Sequence, residues 1–359
     1  MNERNVTLIV SPRERFGVAR ESLLSIFAHT QQRYELIYVD CGVDALFSDW
    51  LDQQAGLRGF RILRPGLVTP NEARNLGLKL VSTQYIVFID NDVIVAPGWL
   101  DAMINCANDE TADIVAPLTC QGLPLHQTIH QAGGSLLDDP MSFFAQPAGE
   151  RIIVDQHAFA GQRVAQVATK LRRAATGSCE FHCVLVRRSL FDWIGPLDER
   201  LLASREHLDL CLAATQAGKK IVFEPTAIVS YLFPSRQRPM NRADWHYFAL
   251  RWSPSWLAQS VEHFEHKWGL RPPLNSPGHG QHEWRLFEGL VKPLLRAIPG
   301  TARNNTWQRI CAVVLRQLCR HASELLVRHD QRRRANKRAA GSRPLANAPA
   351  VVQIGRAHV

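Results

Sequence analysis

The chain has 359 residues, 46% of them hydrophobic and 21% charged, with a formal net charge of +9. This size and mix build a full globular core in one large domain or two, which excludes a disordered chain and a disulfide-stapled miniprotein. The eight cysteines lack paired C-x-x-C spacing, which argues against a zinc ribbon and for a reducing compartment, and no apolar run reaches the roughly eighteen residues of a membrane span.

The basic excess gathers late, around Arg332-Arg333-Arg334, Lys337 and Arg338. That is the pattern of a solvated tail or of contact with an anionic surface. Met1 to Asn5 is charged and leads straight into a strand, so no secretory leader is expected. The expected compartment is the cytoplasm, with a peripheral position at the inner face of the membrane.

In chain order, Val6 to Ser11 is an apolar run of buried-strand type ending in Ser11-Pro12, and Glu21 to Ala28 reads as a helix. Glu35 to Val39 is a second strand, closed by Asp40-Cys41-Gly42, and Phe60 to Leu63 is a short third. Strands alternating with helices predict right-handed crossovers and a parallel sheet. Thr69-Pro70-Asn71-Glu72 opens a helix with a threonine cap, a proline at its first position and a capping-box glutamate. Arg74 opposes the dipole of that helix, which points either to a ligand such as a phosphate or to plain solvation.

Gln84 to Ile89 reads as a strand buried on both faces, and Asp90-Asn91-Asp92 closes it. Open parallel sheets bind ligands beyond the carboxyl ends of their strands. An Asp-x-Asp pair there offers hard oxygens to a divalent cation able to hold a diphosphate, although the same residues also make an ordinary turn. Pro97-Gly98-Trp99 starts a further helix, Asp113 to Pro117 is a strand, and periodicity fades from Leu137 to Gln166, a length suited to a lid.

Order returns with an apolar strand from Phe181 to Arg187 and a turn at Gly195 to Glu199. A helix then begins near Ser204, with Leu208, Cys211, Leu212 and Thr215 inward and Glu206, His207 and Asp209 on its other side. Ile221 to Phe223 and Ala227 to Val229 read as two short strands. Trp245, Trp252, Trp256, Phe264 and Trp268 belong to a helical segment whose aromatics read as packing. After Trp307 a helix alternates apolar residues and arginines, suited to capping the domain, pairing with a partner or lying on an anionic membrane. His126 with His130, and His263 with His266, have helical metal-ligand spacing but no evident third ligand. Ile354 to Val359 matches the translated end of a sequencing adapter and is set aside.

A strand ending in Asp40, a strand ending in Asp90-Asn91-Asp92 and an acidic helix start recur here in one order. Through Val39-Asp40, Ala73-Arg74-Asn75-Leu76-Gly77, Ile89-Asp90-Asn91-Asp92 with Pro97-Gly98-Trp99-Leu100, and Gly195-Pro196-Leu197-Asp198-Glu199 leading into Glu206-His207-Leu208-Asp209-Leu210-Cys211-Leu212, the chain resembles the family 2 glycosyltransferases of the GT-A fold. The resemblance covers roughly Val6 to Tyr231. It implies an α/β domain over 1–233 with a mostly parallel, Rossmann-like sheet flanked by helices. An aromatic and basic α-helical extension over 234–331 and a disordered tail over 332–359 would follow.

The activity implied is inverting transfer of a sugar from a nucleoside diphosphate sugar to a glycan or lipid-linked acceptor, assisted by Mn²⁺ or Mg²⁺. Asp40 would bond the base, and Pro12, Arg74, Asn75, Asp90 and Asn91 would face the donor. Asp92, with Asp90, would hold the cation. Where the family commonly reads Glu-Asp-x-Asp and keeps its general base, His207 stands at the second position; imidazole is a competent base, with Glu206 and Asp209 as alternatives. Tyr231 stands where many relatives carry a metal-binding histidine, which leaves a cation ligand to be found. The rivals are a nucleotidyltransferase, which would need a glycine-rich loop where Ser11-Pro12-Arg13-Glu14-Arg15 stands, an inactive sugar-nucleotide binder, and a nucleic-acid binder, for which no motif is present.

Overall fold

A computed structural model of the chain describes residues 5–14, 16–42, 45–233, 240, 242–271 and 283–341. Strands β1 (Val6–Ser11), β2 (Glu35–Val39), β3 (Arg61–Leu63) and β4 (Tyr85–Asp90) pair in parallel in the order β4-β1-β2-β3. β1 and β4 are buried along their whole length, and their side chains alternate between two cores: Leu8, Val10, Val87 and Ile89 enter one, Ile9, Ile86 and Phe88 the other. Burial on both faces is why these strands are unbroken apolar runs.

Helices α1 (Ala19–His29), α2 (Ala45–Arg58) and α3 (Pro70–Leu78) make the crossovers. α3 starts as its sequence predicts: Glu72 donates its backbone N–H to Thr69 Oγ1 at 3.4 Å, and the Thr69 N–H reaches Glu72 Oε2 at 2.7 Å. Gly77 lets α3 lie directly on β1, because a Cβ there would sit 2.7 Å from Ile9 Cγ2. Gly77→Ala is therefore expected to destabilise the protein by about 1–3 kcal/mol through overpacking, read as a lower Tm. An unchanged Tm would mean that Ile9 yields without strain.

Beyond β4 antiparallel strands join the sheet. In chain order come β5 (Val93–Val95), α4 (Trp99–Asp109), β6 (Ile114–Gln121), β7 (Ile129–Gln131), β8 (Gly134–Ser135), α5 (Pro140–Ala145), β9 (Gln156–His157), α6 (Val164–Val167), β10 (Ala174–Ala175), β11 (Cys183–Arg187), α7 (Phe191–Ile194), α8 (Glu206–Gln216) and β12 (Ile221–Tyr231). The order across the sheet is β10-β12-β6-β11-β4-β1-β2-β3, with β11 antiparallel to both its neighbours. The sheet stays parallel over β4-β1-β2-β3 and between β6 and β12, in line with the mostly parallel sheet expected. The reversed strand matters for the site, since the residue preceding Cys183 faces the carboxyl end of β4.

β12 is one strand where two were expected, with a register shift between Glu224 and Ile228 where Pro225, having no N–H to give, sits. The span from Leu137 to Gln166 contains α5 and β9 and buries Phe143, so it is packed structure for part of its length.

The helical extension is bound into the first domain. α9 (Arg242–Arg251) and α10 (Pro254–Trp268) place Tyr247, Phe264 and Trp268 in the same apolar cluster as Ile9, Phe88 and Leu208. Ser260 Oγ accepts the N–H groups of Leu202 and Ala203 at 2.9 and 3.0 Å, and Gly17 donates its N–H to Asp244 at 2.8 Å. His263 lies 2.8 Å from Asp198 Oδ2, and Lys267 donates to the same oxygen at 3.2 Å.

Burial pushes the Asp198 carboxyl up, but the hydrogen bonds from His263 and Arg200, with the Lys267 charge, outweigh it and hold the group well below the usual carboxylate range. A carboxyl depressed in the folded state contributes stability above its unfolded pKa and loses it as pH falls through the folded one. The Tm deficit of Asp198→Asn should therefore be present at pH 7 and shrink progressively below about pH 4. A deficit that does not change with pH would refute the linkage.

Further helices follow, at Phe287–Val291, Lys292–Ala297 and Asn305–Gly341. The last runs past Arg332, where order was expected to end; residues 342–359, with the adapter-like hexapeptide, lie outside the described residues. Among the described residues no helix is long and apolar enough to cross a membrane.

Candidate active site

The carboxyl ends of β1, β2 and β4 lie side by side, and they carry the predicted donor residues. Asp40 follows β2, 5% exposed; its Oδ1 accepts the Gly42 N–H at 3.0 Å and its Oδ2 the Arg64 Nε–H at 3.2 Å. Pro12 is buried in the turn after β1. Asn91 fastens that turn by accepting the Arg13 N–H at 2.9 Å, while its own N–H goes to Ser11 O at 3.0 Å.

Asp90 is an internal counter-ion. It is fully buried and takes Arg13 Nη1 at 3.1 Å and Arg74 Nη2 at 3.0 Å. Burial raises its carboxyl, yet Arg13, His182 and Arg74 together hold it far below the ordinary range. Arg74 is 1% exposed, donates to Asn71 as well, and lies over the Phe181 ring at 3.9 Å. Its unusual place in a helix first turn is thus matched by a buried carboxylate, where the sequence suggested a phosphate or solvent. Asn75 is also occupied: it exchanges hydrogen bonds with Leu197 at 2.8 and 3.0 Å and donates to Glu199 at 2.9 Å, pinning the turn before α8.

Arg205 has φ of +72°, a left-handed conformation costly for a residue with a Cβ, and it aims the first turn of α8 at the cleft. Glu206 is 5% exposed with Oε1 3.5 Å from Arg251 Nη2. His207 keeps 20% of its side chain exposed, with Nε2 3.6 Å from Glu180 Oε1. Asp209 faces elsewhere: it accepts Trp268 Nε1–H at 2.9 Å and Lys267 Nζ–H at 2.8 Å, which commits it to holding α10.

Sequence reading missed His182, Glu180, Arg251 and Arg285 of this cleft, and named His130 only as a partner of His126. His182 precedes β11 and its carbonyl accepts the Asp90 N–H at 3.0 Å. Its ring stacks on Tyr231 at 3.9 Å and 10°. The tyrosine at that position therefore stacks on a histidine that comes just before β11. His126 and His130 do not share a helix: His126 bonds Ser230, while His130, on β7, joins Glu180. The signal available in the sequence was a glutamate and a histidine inside the otherwise apolar run Cys179-Glu180-Phe181-His182-Cys183.

Ligand atoms of Asp90, Asp92 and His182 lie within 4.8 Å of one another, as do those of His130, Glu180 and His182. Carboxylates with an imidazole suit a divalent cation such as Mn²⁺. Asp90 is claimed by two guanidiniums, and the donor set of Asp90, Asp92 and His182 fits such a cation. Glu14 gathers three arginines, with its oxygens 3.8 Å from Arg13 Nε and Arg251 Nε and 3.7 Å from Arg285 Nη1. The space they leave against His207 is about 90 Å³.

Residues 8–122 match the family model described as glycosyl transferase family 2. A pre-mycofactocin glycosyltransferase of Mycobacterium tuberculosis (strain CDC 1551 / Oshkosh) is 27% identical over 164 residues, covering 45% of this chain and 30% of the relative. The uncharacterised protein y4gI of Sinorhizobium fredii is 27% identical over 231 residues, 62% of this chain and 24% of its own length. The chain thus spans less than a third of the length of these curated relatives. Among solved structures, GalNAc-T7 with UDP, GalNAc and Mn²⁺ aligns at TM-score 0.49 and 14% identity, over 83% of this chain and 58% of its own. The Pyrobaculum calidifontis mannosyltransferase PcManGT, in complex with GDP-Man and Mn²⁺, aligns at 0.45 and 15%, over 91% and 86%. The stretch that resembles glycosyl transferase family 2 is thus residues 8–122, and it includes the strand-end carboxylates Asp40, Asp90 and Asp92.

Proposed function

We propose that the chain is a metal-assisted inverting glycosyltransferase, moving a sugar from a nucleoside diphosphate donor to a hydroxyl of a glycan or lipid-linked acceptor. The observation that carries this reading is the approach of the Asp90-Asn91-Asp92 strand end, through His182, to a cleft bordered by Glu206 and His207. A divalent cation, Mn²⁺ or Mg²⁺, bound at Asp92 would neutralise charge on the departing diphosphate. Asp40 would take the base, beside the turn that Pro12 and Asn91 shape. Asp90, Arg74 and Asn75 hold that wall from within.

His207 serves as the general base. Its Nε2 faces Glu180, which leaves Nδ1 for the proton of the acceptor hydroxyl. The oxygen attacks the anomeric carbon as the bond to the diphosphate breaks on the opposite face, so the configuration inverts. Ligand pockets enclose about 300–1,000 Å³, so a donor must part the arginines gathered on Glu14 to enter.

A screen of nucleotide sugars for hydrolysis and transfer, with and without Mn²⁺, tests the reading. Turnover of at least one donor, stimulated by the cation, is the expected result. No turnover of any donor, with no thermal shift on adding nucleoside diphosphates, sinks it. The exposed Trp307, Ile310, Val314 and Leu318 of the helix Asn305–Gly341, interleaved with arginines, support a peripheral contact with an anionic membrane at the cytoplasmic face. Sedimentation with anionic but not neutral vesicles is expected; none with either removes that contact.

A further inference from the structure

Glu180 is ringed by imidazoles that four separate parts of the chain bring together. Its Oε1 lies 3.7 Å from His130 Nε2 on β7, 3.8 Å from His157 Nε2 on β9 and 3.6 Å from His207 Nε2 on α8. These separations are too long for hydrogen bonds. They match the spacing of neighbouring ligand atoms around a first-row metal, about 3 to 4 Å when each stands about 2.0–2.2 Å from the ion. His182 closes the set, since its ligand nitrogen lies within 4.8 Å of those of His130 and Glu180.

The rings are held in orientation. His182 stacks on Tyr231, and His130 stands edge-on to Tyr231 at 4.9 Å and to His182 at 5.4 Å. Behind His182, Nδ1 is 3.3 Å from Asp90 Oδ2, not aligned as a full hydrogen bond but close enough for the carboxylate to set the tautomer. With the proton on Nδ1, Nε2 would carry the lone pair a metal needs.

We propose that His130, His182 and Glu180 form a second metal site, for a transition metal of the Zn²⁺ class, beside the Asp92 cation position and separate from it. Two imidazoles and one carboxylate select nitrogen-preferring metals over Mg²⁺. Three protein ligands leave a four-coordinate ion one position short, which water or a substrate oxygen can fill. The site does not depend on the sugar-transfer reading, because the metal is detected without a donor.

The test is a Co²⁺ titration of the full-length chain after chelator treatment, followed by visible absorption. One equivalent should bind with strong bands at roughly 500–650 nm, the mark of a four- or five-coordinate site, and Zn²⁺ but not Mg²⁺ should displace it. His130→Ala and the near-isosteric Glu180→Gln should each weaken binding at least about tenfold, whereas Asp92→Asn should keep the bands. Absence of strong bands in the parent protein overturns the proposal. So does their survival in a folded Glu180→Gln, or their loss in a folded Asp92→Asn.

Discussion

Asp92→Asn should lower Mn²⁺-supported donor turnover by roughly 10²–10³-fold while leaving a folded protein. The substitution keeps the shape of the side chain and removes the negative charge that would hold the cation. Apparent affinity for Mn²⁺ should fall with it, so excess cation should rescue part of the rate. Asp90→Asn should behave differently despite lying two positions away. It leaves Arg13 and Arg74 without their buried counter-charge, and breaking such a pair costs about 3–5 kcal/mol. Its defect should appear in the Tm first. If instead Asp90→Asn is stable and loses Mn²⁺ response while Asp92→Asn retains it, the cation belongs to Asp90.

Removing the base should be the second large effect. His207→Ala is expected to lower kcat by roughly 10²–10⁴-fold with little change in donor KM, since the imidazole acts on the acceptor. His207→Asp supplies the carboxylate usual in the family and should recover part of the rate. A His207→Ala enzyme with normal kcat would move the base to Glu206, whose oxygen is the remaining carboxylate at this cleft from α8. Asp209 is not available for that role while it holds Lys267 and Trp268.

Local signals carried the parallel half of the fold. β1 and β4 were legible because burial on both faces forces continuous apolar runs, and α3 because three start signals coincide at Thr69, Pro70 and Glu72. The reversed strand β11 was not, since an apolar run of five residues carries no record of its direction or of its neighbours. The same limit hid the cleft. His130 on β7, His157 on β9 and the Glu180–His182 segment before β11 lie apart in the chain, and the antiparallel insertion of β11 between β6 and β4 brings His182 to Asp90. The roles of Arg74 and Asn75 were obscured for a related reason: whether a polar side chain serves a ligand or its own fold depends on partners more than a hundred residues away for Asn75, at Leu197 and Glu199.

The buried aromatics of α9 and α10 have a consequence for how the molecule comes apart. A cut after Phe233 would bare the faces of Ile9, Phe88 and Leu208 that Tyr247, Phe264 and Trp268 cover, and would strip Asp209 and the Leu202–Ala203 amides of their partners. The two regions named from composition should therefore melt as one cooperative unit, with a single calorimetric transition. Contacts across such long stretches of chain slow folding, and the cleft beside α8 rests on helices that come after it in the chain.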